Sequence, residues 1–75
     1  MENNIRDFIL KMREVDTRLR YLYEQHEKYE RELMAFGRRP FLTDEEQIKE
    51  KELKIAKLKG KEKLMEIVSE LQSAA

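Results

Sequence analysis

The chain has 75 residues, enough for one small domain, and its 16 basic and 16 acidic residues leave no net charge. The absence of cysteine excludes disulfides, thiolate zinc sites and cysteine nucleophiles, and zero net charge argues against a strong, general attraction to nucleic acid or anionic lipid. Two glycines and one proline leave few turns, so the composition predicts an all-α protein. No apolar run is long enough to span a membrane and no secretion signal is recognisable, so we expect a cytoplasmic protein without membrane association.

The first predicted helix spans residues 3–36. Apolar side chains recur along it alternately three and four residues apart, which is the a/d spacing of a left-handed helix–helix seam. His26, the only histidine in the chain, is the one member of this series without apolar character. The series is Ile5, Phe8, Met12, Val15, Leu19, Leu22, His26, Tyr29, Leu33 and Phe36.

His26 has a structural and a chemical interpretation. As a polar residue of the seam, bonded to a carboxylate, it would fix the register of the helices, as a buried asparagine does in coiled coils. As a metal ligand it would need three or four convergent ligands, and Glu30 or Glu52 could supply them only across a dimer axis. The Glu-x-x-His motif of di-iron bundles is missing because position 23 is tyrosine. The structural role is favoured, and no metal or cofactor is predicted.

The turn signals of the chain are concentrated in residues 37–43, which we predict to be a loop. Gly37 is expected to take the left-handed conformation that closes a helix, and Pro40 prevents the helix from continuing. Thr43 and Glu46 have the spacing of a capping box, so a second helix is predicted over residues 44–72. Residues 1–75 would then form one domain, an antiparallel two-helix hairpin.

The second predicted helix carries two apolar stripes on different faces. The isoleucine stripe is expected to pack on the first helix, with Leu33 facing Ile48 and His26 near Ile55. The leucine stripe would remain exposed, because a two-helix hairpin buries only one of them. The isoleucine stripe consists of Ile48, Ile55, Leu58, Met65 and Val68, and the leucine stripe of Leu53, Gly60, Leu64, Ile67 and Leu71.

An exposed apolar stripe on a small domain normally marks an interface. We therefore expect a homodimer in which two hairpins form a four-helix bundle, and the alternative is a monomer with solvated leucines. The candidate interface residues are Ile9, Tyr23, Leu53, Leu64, Ile67 and Leu71.

Residues 49–63 contain seven lysines and three glutamates, which give this stretch a local charge of +4. A nucleic-acid-binding surface would use Lys54, Lys57, Lys59 and Lys61 against phosphates. No arginine-rich groove helix or aromatic stacking platform accompanies these lysines, and lysines on a helix exterior are commonly just solvated. Weak nucleic-acid binding is therefore kept only as the alternative function.

Three segments, IRDFILKM, LRYLYEQHEKYEREL and LKIAKLKGKEKLMEIV, resemble the YdcH-like family of small bacterial proteins. The resemblance covers about residues 5–68, and its most specific features are an aromatic residue three positions before a histidine, here Tyr23 and His26, and a lysine-rich second helix. It implies a bacterial helical hairpin without an established activity. Family members often have a break before the histidine segment; Asp16 and Thr17 can both cap a helix, so a break near residue 16 is the alternative to a continuous first helix.

An enzymatic function is not predicted. The sequence has no glycine-rich phosphate loop and no Ser/His/Asp set, and a hairpin of this size offers little interior in which to shift a pKa. The predicted function is that of a small interaction or structural module, which associates through its helices with itself or with an unidentified protein partner.

Overall fold

The computed structural model describes residues 3–74, and every regular element among them is an α-helix. Helix α1 spans Asn3–Met12, α2 spans Thr17–Gly37 and α3 spans Asp44–Ala74. The all-α prediction is confirmed, but residues 3–74 form three helices where the sequence predicted two. The predicted domain covers residues 1–75, of which residues 1, 2 and 75 lie outside the described residues.

The first predicted helix is interrupted at residues 13–16. Asp16 has an extended backbone, and its side chain accepts a hydrogen bond from the N–H of Leu19 at 3.1 Å, which makes it the N-cap of α2. The guanidinium of Arg18 donates to the second carboxylate oxygen of Asp16, also at 3.1 Å. A continuous helix over residues 3–36 is therefore wrong, and the break near residue 16 is present.

Helices α2 and α3 run antiparallel, as the ion pairs between them show. Glu30 pairs with Lys57 at 3.5 Å, and Arg18 pairs with Glu70 at 3.6 Å near the other end. The predicted register, with Leu33 facing Ile48, would place Glu30 opposite residue 51, about six residues from its observed partner. That register is wrong because α3 turns Leu53 inward near the loop and leaves Ile48 exposed.

The end of α2 differs from the prediction for Gly37. Gly37 is the last residue of the helix, and its φ angle is not positive. The N–H groups of Arg38 and Arg39 donate to the carbonyls of Met34 and Phe36, each at 3.2 Å, so the helix closes with right-handed backbone geometry. The predicted left-handed conformation is wrong because these hydrogen bonds satisfy the terminal carbonyls without it.

The start of α3 has the predicted capping box. The N–H of Thr43 donates to Oε1 of Glu46 at 3.0 Å, and the N–H of Glu46 donates to the hydroxyl oxygen of Thr43 at 3.1 Å. Arg39 also pairs with Glu46 and so connects the loop to the first turn of α3. The capping-box prediction is confirmed, and it fixes the start of the helix at Asp44.

The core lies at the end of the molecule that α1 covers. Ile9 of α1 is buried in a cluster with Leu19, Tyr23, Leu64 and Val68. An isolated helix of 10 residues is unstable in water, so α1 depends on this packing. The guanidinium carbon of Arg13, in the turn after α1, lies 5.8 Å from the centre of the Tyr23 ring, within the range of a cation–π contact.

Candidate functional site

The predicted interface residues lie inside a single chain. Ile9 and Leu64 are fully buried, and Tyr23 and Leu53 are almost so. Ile67 and Leu71 are partly buried and pack against the same core cluster. The leucine stripe, which the sequence left for a second chain, is therefore covered by α1 and α2 of this chain.

The isoleucine stripe is instead largely exposed. Ile48, Ile55 and Leu58 are 60%, 47% and 58% exposed, and Met65 is half-buried. Because successive helical residues are about 100° apart, Ile55 points away from the buried Leu64, to the opposite side of α3. The prediction that this stripe packs on the first helix is wrong for these residues and holds only for Val68, which is buried in the core.

The leucine stripe is buried and the isoleucine stripe exposed, the reverse of the prediction, because the first predicted helix is broken. The turn at residues 13–16 lets α1 fold back over α2, so that Ile9 reaches Leu64 and Val68 on α3. Val15, predicted to be a seam residue, lies in this turn and is 77% exposed. One apolar stripe nevertheless remains uncovered, as the sequence indicated, although it is a different one.

We call this uncovered surface the outer face of α3. It also contains two charged residues, Lys51 and Glu62, both exposed and both lying between apolar members of the stripe. Among residues 3–74, neither forms an ion pair within the chain. Sequence reasoning did not assign these two residues to a site, although their spacing within the isoleucine stripe was visible. In chain order, the outer face is Ile48, Lys51, Ile55, Leu58, Glu62 and Met65.

His26, on α2, is 7% exposed. Its Nε2 atom lies 3.0 Å from Oε1 of Glu30, and the same oxygen lies 3.5 Å from the Nζ atom of Lys57. Glu30 thus connects the histidine to the opposite helix. The Nδ1 atom of His26 is buried and has no hydrogen-bond partner in the part of the chain that the structure describes.

A shallow hollow next to His26 is lined by Arg6 of α1 and by Tyr23, Glu27 and Glu30 of α2. Because it contains side chains of both charge signs, the hollow does not select a ligand of one sign. Within residues 3–74, no three His, Asp or Glu side chains are grouped as metal ligands would be. The fixing of helix register by His26 stays a prediction.

The lysines of the alternative function do not form one surface. Lys57 is paired with Glu30, and Lys54 lies 3.7 Å from Glu50 on its own helix. Lys61 lies on the same side of α3 as these two, whereas Lys59 is two residues from Lys57 and therefore about 160° around the helix. The structure brings three of the four lysines together, and two of these three have acidic partners.

The comparisons with known proteins do not identify a relative. No protein-family model matches the chain, and no curated protein or solved structure matches it significantly. Across residues 3–74, no helix is both long enough and apolar enough to cross a membrane. The outer face of α3 is therefore the best-supported candidate site, and it rests on the geometry alone.

Proposed function

We propose that this protein is a small, non-catalytic helical module that acts by helix–helix association, with a second copy of itself as the partner. The observation that carries the proposal is the row of exposed aliphatic side chains on the outer face of α3. Ile48, Ile55 and Leu58 follow one another at spacings of seven and three residues, which keeps them on one side of the helix. Such a row is what a facing helix covers in a coiled-coil-like contact.

The dimer has four long helices, with the two α3 helices at its centre and the two α2 helices outside. It differs in one respect from the assembly expected from the sequence, because the leucine stripe is used within each chain. Membership of the YdcH-like family remains part of the proposal. The break at Asp16, ahead of the helix that contains Tyr23 and His26, supports the resemblance.

The energetics favour a weak dimer. Full burial of an aliphatic side chain contributes about 1.5–3 kcal/mol, and the three residues are already roughly half-buried, so each adds roughly 1 kcal/mol. Two copies together gain roughly 6 kcal/mol from these side chains. Because association also costs translational and rotational freedom, we expect a weak dimer in exchange with monomer, populated mainly at high protein concentration.

Sedimentation equilibrium over a wide range of protein concentration tests the proposal. The average mass of the wild-type chain should rise from that of a monomer toward that of a dimer. Leu58→Glu should weaken the dimer by about tenfold or more, because it places a carboxylate in the contact. A wild-type chain that stays monomeric over the whole range would contradict the proposed function.

Met34→Glu is the matched control. Met34 lies on α2 and has the same exposed fraction as Leu58, 58%, so the two substitutions introduce the same charge at equally exposed positions. Met34→Glu should leave the dimer unchanged. Leu64→Glu is unsuitable as a test of the interface because Leu64 is fully buried, and a charge there would unfold the chain.

A further inference from the structure

The outer face of α3 has a symmetric order of side chains. Read from either end, the order of its side chains is apolar, charged, apolar, apolar, charged, apolar. The spacings are three, four, three, four and three, which are also the same from both ends. Only the sign of the charge is reversed, since Lys51 takes the place on one side that Glu62 takes on the other.

We infer that the second copy docks on this face in one antiparallel register, with Lys51 of each copy paired with Glu62 of the other. The inference rests on the proposed function and specifies its interface. The two-fold axis crosses the contact at the level midway between positions 56 and 57 of each copy. Around this axis Ile55 faces Leu58 of the second copy, and Ile48 faces Met65.

The charged residues select this register among those that the apolar residues would allow. A parallel pairing would place Lys51 against Lys51 and Glu62 against Glu62, and like charges in a contact destabilise it. An antiparallel pairing with Ile48 against Leu58 would place Lys51 against Ile55, and Glu62 against Asp44. Only the inferred register pairs every apolar residue of the outer face with an apolar one, and Lys51 and Glu62 of that face with the opposite charge.

The residues that flank the contact contribute both attraction and repulsion between the two copies. In the inferred register Glu52 lies near Lys59 of the second copy, which is attractive, and Lys54 lies near Lys61, which is repulsive. These flanking contacts oppose each other. The orientation of the two copies is therefore set by the pairs of Lys51 and Glu62 within the outer faces.

A charge-exchange experiment on the full chain tests the register, with sedimentation equilibrium as the readout. Lys51→Glu alone and Glu62→Lys alone should each weaken the dimer by about fivefold or more, since each places like charges opposite one another. An equimolar mixture of the two variants should form a heterodimer, because a carboxylate of one chain then faces an ammonium group of the other at both places. The double variant Lys51→Glu with Glu62→Lys should dimerise as the wild type does.

Lys63→Glu is the control for Lys51→Glu, because it changes the charge equally on an exposed side of α3 outside the contact. It should leave the dimer unchanged, and circular dichroism should show equal helix content in all variants. A wild-type dimer whose strength is unaffected by both single changes, or not restored in the mixture, overturns the inferred register but leaves the proposed function standing. A wild-type chain that is monomeric at every concentration overturns both.

A disulfide experiment gives an independent result on the same register. Chains with Ile55→Cys and chains with Leu58→Cys, mixed under oxidising conditions, should become cross-linked to each other. Chains with Ile48→Cys and chains with Leu58→Cys should cross-link much less. Preferential linkage of the second pair would show the displaced antiparallel register and overturn the inference.

Discussion

Asp16 determines where the chain turns from α1 into α2. Its carboxylate accepts the N–H of Leu19 and pairs with Arg18, so one side chain satisfies both the helix terminus and a neighbouring cation. The hydrogen bond from Arg18, followed by that from the Leu19 N–H, holds the pKa of Asp16 below its ordinary value. The ionised form of Asp16 is therefore the form that stabilises the fold.

Asp16→Asn should make the free energy of unfolding depend less on pH under acidic conditions. Because the folded-state pKa of Asp16 is lowered, its contribution is fully present above the unfolded pKa, near 3.8, and is lost as pH falls through the folded value. Asparagine can still cap the helix but cannot pair with Arg18. Melting curves should show the variant less stable than the wild type near pH 7, and the difference should shrink as pH is lowered below about 4.

The control for this prediction is Asp7→Asn, at an exposed position of α1. It should change the melting temperature less at neutral pH than Asp16→Asn does. An Asp16→Asn difference that stays constant down to about pH 2 would show that the charge of Asp16 makes no contribution of its own.

His26 is a second single residue whose role can be separated from its packing. Its buried Nδ1 atom has no partner among residues 3–74, so the imidazole carries an unsatisfied polar atom into the interior. Glu30 would keep Lys57 as a partner if the histidine were replaced. The volume of the side chain therefore matters more to stability than its polarity.

His26→Leu should retain or raise the melting temperature, because leucine fills similar space without a buried polar atom. His26→Ala should lower the free energy of unfolding by about 1–3 kcal/mol, because it leaves a gap between the helices. Chemical denaturation of both variants checks the prediction. Equal destabilisation by the two substitutions would instead assign the stability to the contact with Glu30.

At the scale of the elements, α3 contains a glycine, Gly60, at a position where the structure has room for a side chain. Apart from the two adjacent residues and the backbone of its own helix, no atom of residues 3–74 lies within 4 Å of the position that a Cβ on Gly60 would occupy. Glycine within a helix is less stable than alanine by about 1 kcal/mol, because it loses more conformational freedom on folding. Gly60 therefore weakens α3 without allowing a close approach of α1 or α2.

Gly60→Ala should raise the free energy of unfolding by about 0.5–1 kcal/mol. Gly37→Ala is the comparison, because its Cβ would also meet no neighbour but Gly37 is the last residue of α2, where helix propensity counts less. Thermal and chemical denaturation measure both. Destabilisation by Gly60→Ala would contradict the open space that the structure shows at this position.

At the scale of the whole molecule, the features that depend only on residues close together in the sequence could be predicted from it. The all-helical composition, the loop at Pro40 and the capping box of Thr43 and Glu46 are local signals, and the structure has each of them. Asp16 was also a local signal. The regular apolar spacing across Val15 concealed its effect, because that spacing continues through the turn.

The choice between the two stripes of α3 could not be made from the sequence. Both have helical spacing and similar apolar content, so the facing helix could cover either one. The outcome depends on α1, which adds Ile9 to Leu64 and Val68 once the chain turns back at residues 13–16. The error of about six residues in the predicted register has the same origin, because that register assumed that Ile48 packs against the first helix.

The two-sided character of α3 has a consequence for natural variation in this protein. Leu53 and Leu64 are held by the rest of the chain, and under the proposed dimer Ile55 and Leu58 are held by a second copy. Substitutions that accumulate over generations should therefore be tolerated mainly along the flanks of α3, at positions such as Lys49 and Lys63. A reversal of charge at position 51 should be accompanied by the opposite reversal at position 62, and α2, with a single constrained side, should diverge faster.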